Sequence, residues 1–190
     1  MNRQRLAALC GLLTPVITLT LIFVAIRLSP WFSWHDNALS DLGVSATPNP
    51  FNAALLGGGG LHLIFVIFGL RSMIGPGRLA RLGYAAGLAG ALALPLIGWV
   101  TEAYGRAHYY VAAAYFLATP LGYILMGSAW LRRDRLTGVL SIAAGLAAVA
   151  AITLVPHRRI AVPEILAATV MAAWTFSMGT KLLLEKPSHE

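Results

Sequence analysis

The sequence predicts an all-α integral membrane bundle of six transmembrane helices with both termini cytoplasmic. Three observations carry this. The chain is too apolar for a soluble domain of its length: 58% of 190 residues are hydrophobic, 11% are charged and mean hydropathy is +0.73. It divides into six apolar runs, each near the roughly 20 residues that cross a bilayer as a helix. Its charges then sort by side. Alternate links between the runs hold ten basic residues (Arg3, Arg5, Arg71, Arg78, Arg81, Arg132, Arg133, Arg135, Lys181, Lys186) against Asp134, Glu185 and Glu190. The other links hold Arg27, Arg106, Arg158 and Arg159 against Asp36, Asp41, Glu102 and Glu164. The whole formal charge of +7 thus falls on one face. Lys and Arg flanking spans are retained in the cytoplasm, so that face is inside.

The six spans are 6–28, 52–70, 82–101, 108–130, 137–155 and 164–184, forming one transmembrane domain over 1–190. The runs are continuous rather than alternating, which excludes barrel strands. A pI near 10.2 raises nucleic-acid binding, but basic residues that flank spans instead of sharing one element argue against it. Cys10 is the single cysteine, so there is neither an intrachain disulfide nor a cysteine metal site.

The first span follows Met1 to Arg5 and imitates a signal peptide. The run is too long for one, and it reads as a retained first helix. The link 29–51 is the one outer link long enough for structure of its own. Trp31, Phe32 and Trp34 suit the headgroup boundary. Asn37, Ser40 and Asp41 have i, i+3, i+4 spacing, so a short surface helix ended by Gly43 would align them. They form either a binding face or the caps of that helix.

The second span opens with Gly57, Gly58, Gly59 and Gly60, which either permit close helix packing or leave room for a ligand. His62 follows near the span centre. An ionisable group at that depth is a functional hypothesis by default; a neutral imidazole bonded to a neighbour is the structural alternative. Gly75, Pro76 and Gly77 mark the next turn. Gly83 and Gly87 in the third span, and the Ala/Gly-rich fifth span, again allow close approach. Pro15, Pro95 and Pro120 each free a backbone carbonyl within a span.

Glu102 ends the third span and His108 begins the fourth. Their short link places them at similar depth, where a carboxylate orients an imidazole or shares a metal with it. The alternative is an interfacial ion pair that includes Arg106. Beyond the fifth span, His157, Arg158 and Arg159 precede Glu164. Paired arginines there suit a lipid phosphate or carboxylate, whereas Glu164 also suits a helix N-terminus. Arg27 lies near the outer end of the first span, where it either snorkels to the interface or serves as a counter-charge to Asp41, Glu102 or Glu164.

No H-E-x-x-H occurs, and no two histidines have i, i+4 spacing. His35, Asp36, Glu102, His108 and His157 are metal-ligand types on one side, but their spacing demands no metal, and no cofactor is identified.

The segment Ser33-Trp34 to Asn37-Ala38-Leu39-Ser40-Asp41-Leu42-Gly43, with Phe51-Asn52 and the glycines after it, resembles the polytopic membrane family catalogued as domain of unknown function 998. Gly98 to Glu102 with His108, and Val162-Pro163-Glu164, extend the resemblance over nearly the whole chain. It implies a six-helix membrane bundle, known mostly from archaea and bacteria, and no established activity.

The expectation is a multi-pass plasma-membrane protein with an extracytoplasmic polar site that binds a lipid or other amphiphile, or that joins a membrane complex. Asn37, Ser40, Asp41, Arg27, Glu164 and Arg158 are the candidate ligand-binding residues. The alternative is an intramembrane lipid hydrolase or transferase, with His108 as general base beside Glu102 or Asp41, with or without a metal. A second alternative is a small proton-linked transporter acting through His62. Expected partners are membrane lipids, further membrane subunits or a second copy, and not nucleic acid.

Overall fold

The structure, a computed structural model, describes residues 2–185. Lys186 and Glu190, counted above with the basic face, lie outside the described residues. Six long helices follow one another: α1 Arg3–Arg27, α2 Asn49–Met73, α3 Arg78–Trp99, α4 Arg106–Trp130, α5 Arg135–Leu154 and α6 Ala161–Leu184. All six are long and apolar enough to span a bilayer, so this is a multi-pass membrane protein. Each begins two to four residues before the apolar run that announces it. Polar first-turn residues extend a helix when a cap supplies its free N–H groups, which hydropathy does not register. Asn2 accepts from the amide of Gln4 to start α1, and Asp134 accepts from the amide of Thr137 at 3.1 Å to start α5.

Helix α2 is not uniform. It widens to π geometry over Ala54–Gly58 and again over Phe65–Leu70, bracketing the ordinary turn that carries His62. Such bulges shift the facing of everything beyond them. The glycine run divides its labour. A Cβ on Gly59 would stand 2.7 Å from the Pro95 nitrogen of α3, while Gly57 and Gly60 face open space. The loop before α2 folds into a 3₁₀ turn, Leu39–Val44, so the surface helix starts two residues after Asn37 and contains Gly43 rather than ending at it. A second 3₁₀ turn, Glu102–Tyr104, leads through Gly105, with φ near 55°, into α4.

Each helix packs on its neighbour in sequence, and α6 returns to α1, closing a ring. Small residues set the spacing. A Cβ on Gly122 of α4 would lie 2.7 Å from the Gly87 nitrogen of α3, so these backbones touch. Large apolar side chains such as Val16, Leu117 and Leu146 point outward, as lipid requires. Polar side chains join helices inside. The indole of Trp174 donates to Ser141 Oγ at 2.9 Å, and Ser141 donates to Thr137 O at 2.8 Å. Tyr123 stacks on Trp174 with centroids 3.7 Å apart.

The links gather at two ends. At one, Trp130 donates to Met73 O at 3.2 Å and Lys181 pairs with Asp134. That pairing, with the Thr137 hydroxyl, holds the Asp134 carboxyl well below the usual range. The other end carries the acids and histidines.

Candidate functional site

At the acid–histidine end, the first loop is tied down by side chains. Asn37 Oδ1 accepts from the Ser33 amide at 2.8 Å, and Asn37 Nδ2 donates to Asp41 Oδ2 at 2.8 Å. Asp41 Oδ2 also accepts from the Ala38 amide at 3.0 Å, capping the 3₁₀ turn. Glu164 reaches across from the first turn of α6 and accepts from the Leu39 amide at 2.8 Å. The Ala161 amide returns a bond to Asn37 O at 3.1 Å. Asn37 and Asp41 thus bond the backbone of their own loop, and Glu164 caps a different element from its own.

Glu102 lies beside Ser40 and Asp41, and its Oε2 is buried with no hydrogen-bond partner among the described residues. Burial first, and then the Asp41 carboxylate, push the Glu102 carboxyl above its ordinary range. His108 is 7% exposed, and its Nδ1 lies 2.6 Å from Val100 O. A carbonyl only accepts, so Nδ1 carries the hydrogen that meets it. A backbone carbonyl, not Glu102, orients the imidazole.

Ser40, His108 and Glu164 form the polar end of a cavity inside the ring, with a volume of about 80 Å³. Its wall is overwhelmingly apolar and comes from every helix except α5. Leu39, Phe51 and Leu94 belong to it, as do Phe116 and Met171. Among the described residues, no Arg or Lys lines it. His62, 4% exposed, belongs to its wall as well, with its ring centroid 6.3 Å from that of Phe65.

A family model described as a protein of unknown function, DUF998, matches residues 12–181. The chain belongs to the DUF998 family. No curated protein and no solved structure matches it. The matched stretch contains the whole polar cluster and the whole cavity wall of this DUF998 protein.

The sequence-derived candidates thus separate into groups. Asn37, Ser40, Asp41, Glu102, His108 and Glu164 come together at one end of the bundle. Arg27 is exposed and forms no ion pair among the described residues. Arg158 pairs with Asp36 at 3.3 Å, with both side chains largely exposed, and does not line the cavity. Such a surface pair is worth little. Among the described residues, no group of three His, Cys, Asp or Glu side chains is placed to hold a metal ion.

Sequence reasoning missed the cavity wall itself. Thr14 and Thr18 of α1 share a face at i, i+4, and both line it. That spacing was readable, but two threonines in an apolar helix announce nothing until the facing helix is known.

Proposed function

We propose that this protein binds an amphiphile within the plasma membrane. The polar head sits at Ser40, His108 and Glu164, and the chain fills the cavity. The carrying observation is a cavity whose length is apolar and whose polar end is built from one acid, one imidazole and one hydroxyl. With no Arg or Lys among the described wall residues, the site suits a head that donates hydrogen bonds, a hydroxyl or an amine, over a phosphate. Positive-inside sorting puts this end outside the cell. Membrane lipids are then the partners, and the exposed apolar rim leaves room for further subunits or a second copy.

The test is native mass spectrometry of gently solubilised protein with a plugged variant. The unsubstituted chain is expected to retain one amphiphile. Ala168→Trp, on the cavity wall, is expected to lose it, while Leu140→Trp, on the exposed face of α5, keeps it. Equal retention by both variants overturns the reading.

A second reading is favoured by one observation, the carboxyl of Glu102 raised by burial and by Asp41 beside it, near the His108 imidazole. Such a group serves as general acid in hydrolysis or transfer on the bound lipid. Loss of lipid turnover in His108→Ala, with the amphiphile still retained, would move the protein into that class. A stoichiometric metal lost in the same variant would make the chemistry metal-dependent.

A further inference from the structure

The basic end of the bundle holds a cavity of its own, of about 200 Å³. Its lining comes from the ends of four spans. Met73 closes α2, Trp130 closes α4, Thr137 lies in the first turn of α5 and Lys181 in the last turn of α6. A cavity bounded by span ends lies at head-group depth in a bilayer. Leu136 and Leu184, each next in sequence to a lining residue, are exposed and meet acyl chains there.

Most polar groups of this lining are already satisfied. Lys181 pairs with Asp134 and donates to Thr137 Oγ1 at 2.9 Å. The Thr137 hydroxyl donates to Asp134 at 2.6 Å, and the Trp130 indole donates to Met73 O at 3.2 Å. Two charges remain. Arg133 and Glu185 both line the cavity, yet among the described residues neither forms an ion pair, with the other or with any further group.

The guanidinium is placed by a contact of its own. Gly75, in the turn between α2 and α3, lies against it, and a Cβ on Gly75 would collide with Nη1 of Arg133. The turn thus presents bare backbone where the arginine head rests. A cation and an anion that share one cavity without meeting across it complement a ligand carrying both signs. A phosphate takes two parallel hydrogen bonds from a guanidinium, and a primary ammonium donates to a carboxylate. A head bearing phosphate alone would satisfy Arg133 and set its charge against Glu185. At about 30 Å³ of liquid per water, a space of about 200 Å³ takes a group of several heavy atoms.

We infer that this cavity binds the head of a zwitterionic phospholipid bearing a primary amine, with its phosphate on Arg133 and its ammonium on Glu185. Positive-inside sorting makes the donor the cytoplasmic leaflet. The inference stands apart from the amphiphile reading, because the two cavities share no lining residue.

The experiment titrates the full-length protein in non-ionic detergent with dioleoyl phosphatidylethanolamine, phosphatidylglycerol or phosphatidylcholine, and counts bound lipid by native mass spectrometry. The three lipids differ only in the head. Choline keeps the positive charge without an N–H, and glycerol keeps the phosphate without the cation. The ethanolamine lipid is expected to bind about fivefold more tightly than either, the upper range for exposed charge pairs. Glu185→Gln is expected to bring the ethanolamine and glycerol lipids within about twofold of each other. Arg133→Gln is expected to weaken the ethanolamine lipid about fivefold. Both side chains are exposed, so neither substitution touches the core. Gly75→Ala keeps both charges but displaces the guanidinium, and is expected to weaken the same lipid.

Equal affinities for the three lipids in the unsubstituted protein overturn the inference, as does an ethanolamine preference that survives both Arg133→Gln and Glu185→Gln. Tighter binding of the glycerol lipid, lost in Arg133→Gln, would make this a plain phosphate site and overturn the zwitterion assignment. Ala168→Trp, which plugs the other cavity, is expected to keep the ethanolamine lipid; its loss there would move the lipid to that cavity and overturn the inference as well.

Discussion

Glu102 is the residue whose surroundings disagree most with its chemistry. One of its oxygens is buried with no hydrogen-bond partner among the described residues, and Asp41 adds a like charge beside it. The folded state therefore holds the Glu102 proton more tightly than the unfolded chain does. Native protein binds more protons than unfolded protein through that window, so stability is greatest below the ordinary carboxyl pKa and falls as pH rises toward the raised value. Glu102→Gln, which keeps the shape of the protonated form, is expected to remove that fall. Thermal unfolding in detergent, followed from about pH 4 to about pH 8, should show a flatter curve for the variant and equal or greater stability at the neutral end. A variant curve parallel to the original would mean that Glu102 is not the group responsible. The types of the polar cluster were legible: its acids, its imidazole and its common side are all in the sequence. Their convergence was not, because Leu39 and Glu164 are 125 residues apart and meet only through the ring. Of the two readings open for Arg27, its exposure fits snorkelling, since a charge near a span end has water as a partner and needs no acid.

Among elements, the α3–α4 pair is the tightest joint. Glycines on both helices let the backbones meet, and a side chain at Gly122 has only the backbone of Gly87 and Gly83 to displace. Backbone cannot rotate aside as a side chain can. Gly122→Val is therefore expected to lower stability by about 1–3 kcal/mol, read as a lower unfolding temperature, whereas Gly57→Ala, facing open space, should leave it unchanged. Comparable losses in the two would show that the close approach of Gly122 to Gly87 is not what decides, since helix propensity favours both substitutions. The helices themselves were legible because the bilayer sets their length and composition together. The π turns of α2 were not. Glycines permit such widening, but whether it occurs depends on what α1 and α3 present to that surface.

At the scale of the molecule, the orientation in the bilayer follows from charge. The basic end should face the cytoplasm, so on a Cys10→Ala background His35→Cys is expected to react with an impermeant thiol reagent added to intact cells, and Arg132→Cys is not. The reverse pattern would invert the molecule and place the polar cluster inside. The order of helices around the ring was beyond the sequence, since apolar faces that all meet lipid or each other carry little information about neighbours. That order has a consequence of its own. The seam where α6 meets α1 brings Arg3 and Leu184 to the same end of the bundle, with Gly179 packed on Ala8 and Leu12. The ring therefore has no privileged first helix. A short linker joining those two ends, with new termini cut at the Gly75–Gly77 turn, would yield a circular permutant that keeps every helix, both faces and the same handed succession of neighbours.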